Sequence, residues 1–153
     1  MKKRDILFFG GCAAVAAALL LTVDIQTPAE YYAAHPTAIT EDGAFIELRV
    51  DSSAVAEGGV ILDGRYALAE GDSVFDVVER VLRAEGISLD YSGGRNIYVD
   101  GINGIYELDY GAQSGWIYKV NGTAPDINCG EYQPVSGDDI EFVYVTEYYG
   151  GGR

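Results

Sequence analysis

The stretch Ser114-Gly115-Trp116-Ile117-Tyr118-Lys119-Val120-Asn121-Gly122 is the most informative part of this 153-residue chain for the fold. It holds the only tryptophan, in an alternating pattern that is typical of a strand. It ends in Asn-Gly, which is a strong signal for a tight turn. A second strand-like run, residues 139–145, follows the turn residues 136–138. Both runs predict strands, and no other part of the chain discriminates as well between possible functions.

One amphipathic helix is predicted upstream of these strands. Asp72 and Ser73 can cap its first turn, and Asp76 stands three residues after Ser73, as in a capping box. Gly86 is a natural residue just beyond the helix end. The apolar stripe of this helix consists of Val74, Val77, Val78, Val81 and Leu82, and the opposite face consists of Glu79, Arg80, Arg83 and Glu85.

Short alternating runs predict four more strands, two on each side of the helix. They lie at residues 45–50, 60–66, 96–99 and 105–108, and glycine-containing turns separate them. The order β-β-α-β-β-β-β predicts an α+β domain at residues 44–146. We expect a β-grasp-like mixed sheet with the amphipathic helix packed on one face.

The N-terminus predicts export. Three basic residues at positions 2–4 precede an apolar run at 6–23, which is long enough to cross a hydrocarbon core. We expect residues 1–23 to be a signal anchor that spans the cell membrane once and leaves the domain outside. A cleaved signal, giving a secreted protein, and a lipoprotein attached through Cys12 remain alternatives. Residues 24–43 are expected to be a linker and residues 147–153 a disordered tail.

Charge and composition argue against several function classes. The net charge of −14 disfavours nucleic-acid partners, because phosphates would be repelled. The only histidine, His35, lies in the linker, so the domain has no histidine for acid–base, triad or zinc chemistry. A stretch from Asp126 begins like a calcium loop but lacks the acid that would complete it. We therefore predict no catalytic residues, no metal site and no enzyme. Cys129 is expected to be a buried, unreactive side chain.

The combined motifs resemble the transcobalamin-like C-terminal domain family. The resemblance rests on the capped helix 71–78, on residues 98–105, on the Ser-Gly-Trp-x-Tyr-x-Val-Asn-Gly stretch, and on Gly-Asp-x-Ile-Glu at 137–141. It covers about residues 44–146. In the vitamin B12 carriers the related domain closes over cobalamin that is bound mainly by a separate helical barrel. The resemblance thus implies a possible cobalamin or corrinoid ligand and no other cofactor.

Aromatic side chains give the functional signal. Tyrosine and tryptophan suit wet binding surfaces, and they also suit the half-buried face of a sheet, so the role of Trp116 stays open between core and ligand contact. We expect a shallow groove with Trp116 as its floor, bordered by the loop 110–115. The predicted ligand-binding residues are Trp116, Tyr110, Gln113, Ser114, Tyr118 and Asn121. The favoured function is a membrane-anchored extracellular module that binds a small molecule. The alternative is a protein-interaction or spacer domain of a cell-surface assembly.

Overall fold

The Trp116 stretch forms one edge of a four-stranded sheet. The computed structural model describes residues 37–39, 43–94 and 96–147 of the chain. In chain order its elements are β1 (Phe45–Asp51), β2 (Val60–Ala67), α1 (Val74–Ala84), β3 (Leu89–Ser92), β4 (Tyr98–Ile102), β5 (Ile105–Tyr106), β6 (Gly115–Val120) and β7 (Asp139–Val145).

The four-stranded sheet has the order β2-β1-β7-β6, with the first and last strands of the chain side by side at its centre. β1 and β7 run parallel, with Leu48 opposite Ile140, and the two outer pairs are antiparallel. Side chains of β1 and β7 alternate between buried and accessible positions, as the period of two along a strand requires. This alternation gives the sheet one inner and one outer face.

Helix α1 is capped as its sequence predicts. The Asp76 N–H donates to the Ser73 hydroxyl at 3.2 Å, and the Ser73 N–H donates to the Asp76 carboxylate at 2.8 Å. Gly86 takes a φ of +70° just past the helix, which is a conformation that glycine adopts without steric cost. The predicted apolar stripe is buried throughout: Val74, Val77, Val78, Val81 and Leu82.

Arg80 corrects the prediction for the polar face of the helix. Its side chain is buried, with a residue exposure of 2%. The guanidinium donates to the Asp72 carboxylate at 2.7 Å and to the Ala67 carbonyl at 3.0 Å. Its Nε makes no hydrogen bond to the described residues. The pair therefore joins α1 to the end of β2, where the helical pattern alone indicated a solvated charge.

A second sheet of three strands, in the order β3-β4-β5, stands beside the first. The sequence predicted one sheet and did not predict β3. The α+β class is confirmed, with one α-helix among the described residues, but its strands divide between two sheets. Leu89 is the only aliphatic residue of β3, so the strand carries little hydrophobic signal of its own and is defined by its pairing with β4.

One apolar cluster joins both sheets to the helix. It contains the inner residues Ile46, Leu48 and Val50 of β1, the stripe of α1, and Val99 and Ile102 of β4. The Val74 and Phe75 N–H groups at the start of the helix donate to the Tyr132 and Cys129 carbonyls, at 2.8 and 3.0 Å. The segment 129–132 is thereby fixed against the helix.

Several predictions concern residues outside the described ranges. The proposed anchor at 1–23, the tail residues 148–153 and most of the linker lie there. Within the described part of the chain, no helix combines the length and the apolar character needed to cross a bilayer.

Candidate functional site

A cavity of about 480 Å³ opens where β6 meets β4 and the loops on either side. Its walls come from five places: β4 and the residue before it, the loop leading to β6, the first four residues of β6, the segment 124–129, and β7. The lining includes Ile97, Tyr98, Glu107, Leu108, Gln113, Ser114, Gly115, Trp116, Tyr118, Asn128 and Cys129.

Trp116 contributes both to the core and to this cavity. It pairs with Tyr144 across β6 and β7, and it shares the inner face of the sheet with Tyr118 and Val120. Its ring meets the Tyr144 ring edge-on, with 5.3 Å between centroids, and its indole N–H donates to the Ile105 carbonyl at 2.9 Å. Half-buried in this way, the indole is held in a fixed orientation at the cavity wall.

Tyr118 forms the next part of the same wall. Its ring stacks on Phe142 at a centroid distance of 6.0 Å. Its hydroxyl donates to the Ile127 carbonyl, which ties β6 to the segment 124–129. Burial, with smaller effects from Cys129 and Tyr132, raises the pKa of Tyr118 to about 12, so the hydroxyl stays protonated further into the alkaline range than that of a free tyrosine.

The accessible part of the cavity is lined by Tyr98, Glu107 and Leu108. Tyr98 is 51% exposed and donates its hydroxyl to the Glu107 carboxylate, and this hydrogen bond is the main reason why the pKa of Tyr98 rises to about 12. Leu108 is 59% exposed and has a φ of +66°, which is rare for a residue with a branched side chain. Its N–H donates to the Ser114 carbonyl at 3.0 Å, and this hydrogen bond closes the loop formed by residues 108–114.

The structure brings four of the six predicted binding residues to this cavity: Trp116, Gln113, Ser114 and Tyr118. Ser114 is a buried member of the wall, because its hydroxyl donates to the Gly111 carbonyl at 2.9 Å and lies 3.0 Å from the Tyr144 hydroxyl. Its side chain therefore supports the loop from within.

Tyr110 and Asn121 lie outside the lining. The Tyr110 hydroxyl donates to the Glu57 carboxylate at 2.6 Å, and its ring meets that of Tyr144 edge-on at 5.8 Å. Asn121 occupies a turn with a φ of +51°, and its side chain bonds to Asp138 and to the backbone of Asp139. Tyr110 thus packs behind the cavity wall, and Asn121 fixes the turn between β6 and the following segment.

Sequence reasoning missed Tyr98, Glu107, Leu108, Asn128 and Cys129 as members of the site. Asn128 accepts from the Ile97 and Gly130 N–H groups and donates to the Ile97 carbonyl at 2.8 Å, which holds the segment 124–129 against the residue before β4. The Cys129 thiol is buried as predicted, and burial raises its pKa to about 11, which disfavours the reactive thiolate. Leu108, expected at the end of a strand at 105–108, lies instead beyond β5, which ends at Tyr106, and its side chain is exposed.

Metal ligands do not gather at the cavity. Within residues 37–39, 43–94 and 96–147, no three histidine, cysteine, aspartate or glutamate side chains are close enough together to hold an ion. The arrangement at the cavity is instead an aromatic wall with fixed polar groups, which suits an organic ligand.

A protein-family profile described as a domain of unknown function (DUF4430) matches residues 71–146, from the helix cap to the end of β7. No curated protein matches the sequence significantly.

The solved structures similar to the chain include the following two. Haptocorrin in complex with Cbi aligns with a TM-score of 0.53 at 13% identity, over 72% of this chain and 27% of the haptocorrin chain. This chain therefore spans about a quarter of the length of haptocorrin. A proposed metal binding protein from Ruminococcus gnavus ATCC 29149 aligns with a TM-score of 0.46 at 14% identity, over 69% of this chain and 99% of that one. The likeness to haptocorrin shows a shared fold.

Proposed function

We propose that this domain is a non-catalytic binding module whose ligand is a small organic molecule held in the Trp116 cavity. The observation that carries the proposal is the cavity itself. Its volume of about 480 Å³ lies within the range of roughly 300–1,000 Å³ that is typical of ligand pockets. Its aromatic wall is fixed by hydrogen bonds from Trp116 and Tyr118, so little ordering of the protein opposes binding.

A corrinoid is our leading candidate for the ligand. The sequence resembles the transcobalamin-like family, and the fold is shared with a region of haptocorrin, whose solved complex contains Cbi. A flat macrocycle suits a wall built from the edges and faces of aromatic rings. A cavity of this size would enclose one side of a corrinoid and leave the remainder accessible.

Our proposal for the cellular context follows from the sequence. We place the domain outside the cell, attached to the membrane through the apolar residues 6–23. Cleavage of the apolar segment, or attachment by lipidation at Cys12, would leave the binding proposal unchanged.

The central parallel pair β1–β7, with antiparallel neighbours and one helix on the inner face, supports a β-grasp-like description of the larger sheet.

The alternative function is a protein-interaction or spacer domain. β2 favours this alternative, because it is the edge strand opposite β6 and its Val60 is 48% exposed. Among the described residues, the outer edge of β2 has no strand partner, and such an edge can accept an extended segment of a partner protein.

Titration calorimetry of the full-length chain in a mild detergent, with cobinamide and with cobalamin, tests the corrinoid proposal. We expect saturable heat from at least one compound and binding at least tenfold weaker in Trp116→Ala, because that change removes the centre of the wall. Lys119→Ala is the matched control, since Lys119 is on the outer face of β6 and pairs with Glu141 at 3.5 Å. Circular dichroism checks that both variants fold. Absence of heat with both corrinoids would refute the corrinoid form of the proposal.

A further inference from the structure

The polar side chains of the Trp116 cavity divide into two groups. In the first group, hydrogen bonds within the protein already use the polar atoms. It contains Tyr98, Ser114, Trp116, Tyr118 and Asn128. The second group consists of Glu107 and Gln113. The described hydrogen bonds use Oε2 of Glu107 but not Oε1, and none involves the side chain of Gln113.

The Glu107 carboxylate has a defined position. The Tyr98 hydroxyl donates to its Oε2, and the Glu107 N–H donates to the Asp100 carbonyl at 3.0 Å, which fixes the backbone beside β4. Gly115 adds a close approach, because a Cβ built on this glycine would stand 3.7 Å from the Glu107 Cβ. Glu107 is therefore packed between β4 and the first residue of β6, and one of its carboxylate oxygens has no partner among the described residues.

No basic side chain balances this charge at the cavity. The lining contains no lysine, arginine or histidine among the residues that the structure describes. Lys119, the basic residue of β6, is on the outer face of the strand and pairs with Glu141. A half-buried carboxylate without a cation favours hydrogen-bond donors and positive charge, and it disfavours a second carboxylate.

We infer that Glu107 determines the selectivity of this cavity, favouring ligands that present an amide NH₂ or ammonium group over ligands that present a carboxylate at the same place. The inference rests on the proposed binding function, and it adds the chemical class of the group that the cavity selects. For a corrinoid, it means that an amidated side chain of the macrocycle would face Glu107 and that the corresponding free acid would be rejected.

Small aromatic probes test the charge preference without assuming a corrinoid. The chain has one tryptophan, so one indole N–H signal in a nitrogen–proton spectrum reports on the cavity wall. We would titrate the full-length, ¹⁵N-labelled chain in detergent with benzylammonium, benzamide and benzoate. The expected result is that benzylammonium and benzamide shift the Trp116 indole signal and that benzoate binds about tenfold more weakly.

Glu107→Gln is the decisive variant, because it keeps the shape of the side chain and an acceptor for Tyr98 but removes the charge. It should reduce the tenfold preference to less than about twofold. Glu57→Gln is the matched control, since Glu57 also accepts from a tyrosine hydroxyl, at Tyr110, but lies outside the lining. This control variant should keep the full preference.

The outcomes separate this inference from the corrinoid proposal. Equal shifts by all three probes, or an unchanged preference in Glu107→Gln, would overturn the role of Glu107. Failure of every probe to shift the Trp116 indole would also overturn it. If the probes show the expected preference while calorimetry shows no corrinoid binding, the role of Glu107 stands and only the identity of the ligand changes.

Discussion

Asp51 at the end of β1 shows how one side chain can make the free energy of unfolding depend on pH. Its Oδ1 accepts from the Ser53 N–H at 2.7 Å, and its Oδ2 lies 2.8 Å from the Arg49 guanidinium. Hydrogen bonds from Ser53, with a further one from Arg49, lower the pKa of Asp51 from 3.8 to about 2. A carboxyl with a lowered pKa stabilises the fold above its unfolded pKa, and this contribution is lost as the pH falls from about 4 to about 2.

We therefore predict that Asp51→Asn lowers the free energy of unfolding by about 1–2 kcal/mol at pH 7. The difference from the wild type should shrink below pH 4 and vanish only below about pH 2, as measured by urea unfolding across this range. Asp63→Asn is the control, because Asp63 pairs with the same Arg49 at 2.6 Å but is exposed, and exposed pairs contribute about 1 kcal/mol or less. A difference for Asp51→Asn that does not change with pH would contradict this account.

Residue by residue, the sequence predicted what depends on near neighbours. The Ser73–Asp76 capping box has a fixed spacing of three residues, and the apolar stripe of α1 repeats at helical spacing. Both could therefore be recognised in the sequence alone. Arg80 could not, because its burial depends on Asp72 and on a carbonyl of β2, and the helical period places it with the polar residues. Trp116 was left open and proved to be both part of the core and part of the cavity wall.

Among the elements, β4 and β5 depend on a contact between a glycine and a ring. Gly101 pairs with Tyr106, whose ring crosses over the glycine so that its hydroxyl reaches Asp90 of β3 at 2.9 Å. A Cβ on residue 101 would lie 2.5 Å from this ring, which is closer than real contacts allow. Tyr106 thus spans all three strands of the small sheet, provided that residue 101 has no side chain.

We predict that Gly101→Ala costs about 1–3 kcal/mol of stability, as is typical of overpacking. The same change made in a Tyr106→Ala background should cost less than about 1 kcal/mol, because the ring that it would displace is gone. Urea unfolding of the two single variants, the double variant and the wild type measures this coupling. If Gly101→Ala costs equally in both backgrounds, the contact with Tyr106 is not the cause.

At the scale of elements, β6, β7 and α1 were predictable because their patterns are regular over six or more residues. The strand β3 was missed, since its four residues include one aliphatic side chain and depend on pairing with β4. The division into two sheets was missed for a related reason. The turns that separate the strands are local, but which strands pair is decided by contacts that are distant in sequence.

In the whole molecule, Tyr144 links the two sheets. Its buried ring, on β7, contacts Trp116, and its hydroxyl donates to the Tyr106 carbonyl of β5 at 2.7 Å. Tyr144 therefore anchors the small sheet and the loop that carries Glu107 to the centre of the large sheet, alongside the Trp116 indole, which donates to the Ile105 carbonyl. The cavity lies between the parts that these side chains hold together.

Removing the Tyr144 hydroxyl should loosen that link. We predict that Tyr144→Phe lowers the free energy of unfolding by about 1–2 kcal/mol, because the Tyr106 carbonyl loses its buried donor and keeps only the longer hydrogen bond from the Asp109 N–H at 3.4 Å. Amide hydrogen exchange at Glu107 should accelerate more than at Leu48 in β1. Tyr66→Phe is the matched control, since the Tyr66 hydroxyl makes none of the hydrogen bonds described for this chain, and its effect should be small. Equal acceleration at both amides would show that the whole domain, and not the link, had been weakened.

The candidate site could be predicted only in part at this scale. The four predicted residues that line the cavity belong to the Ser114–Gly122 stretch or to the loop just before it, so the stretch pointed to them. Tyr98, Glu107 and Cys129 come from other parts of the chain and meet β6 only in three dimensions. The Tyr110 hydroxyl bonds to Glu57, whereas Leu108, two residues earlier, lines the cavity. No regular sequence pattern predicts the orientation of either side chain.

The central pairing of β1 with β7 also determines when this domain can fold. Nearly the whole domain lies between these two strands in sequence, and they are neighbours in the sheet. A chain that emerges from the ribosome or from an export channel with its N-terminus first would have β1 and β2 available long before β7. The large sheet cannot be completed until residue 145 is free, so folding is a late event of synthesis or translocation. A chain that stopped before residue 139 would lose the centre of the sheet, and β6 would have no neighbour.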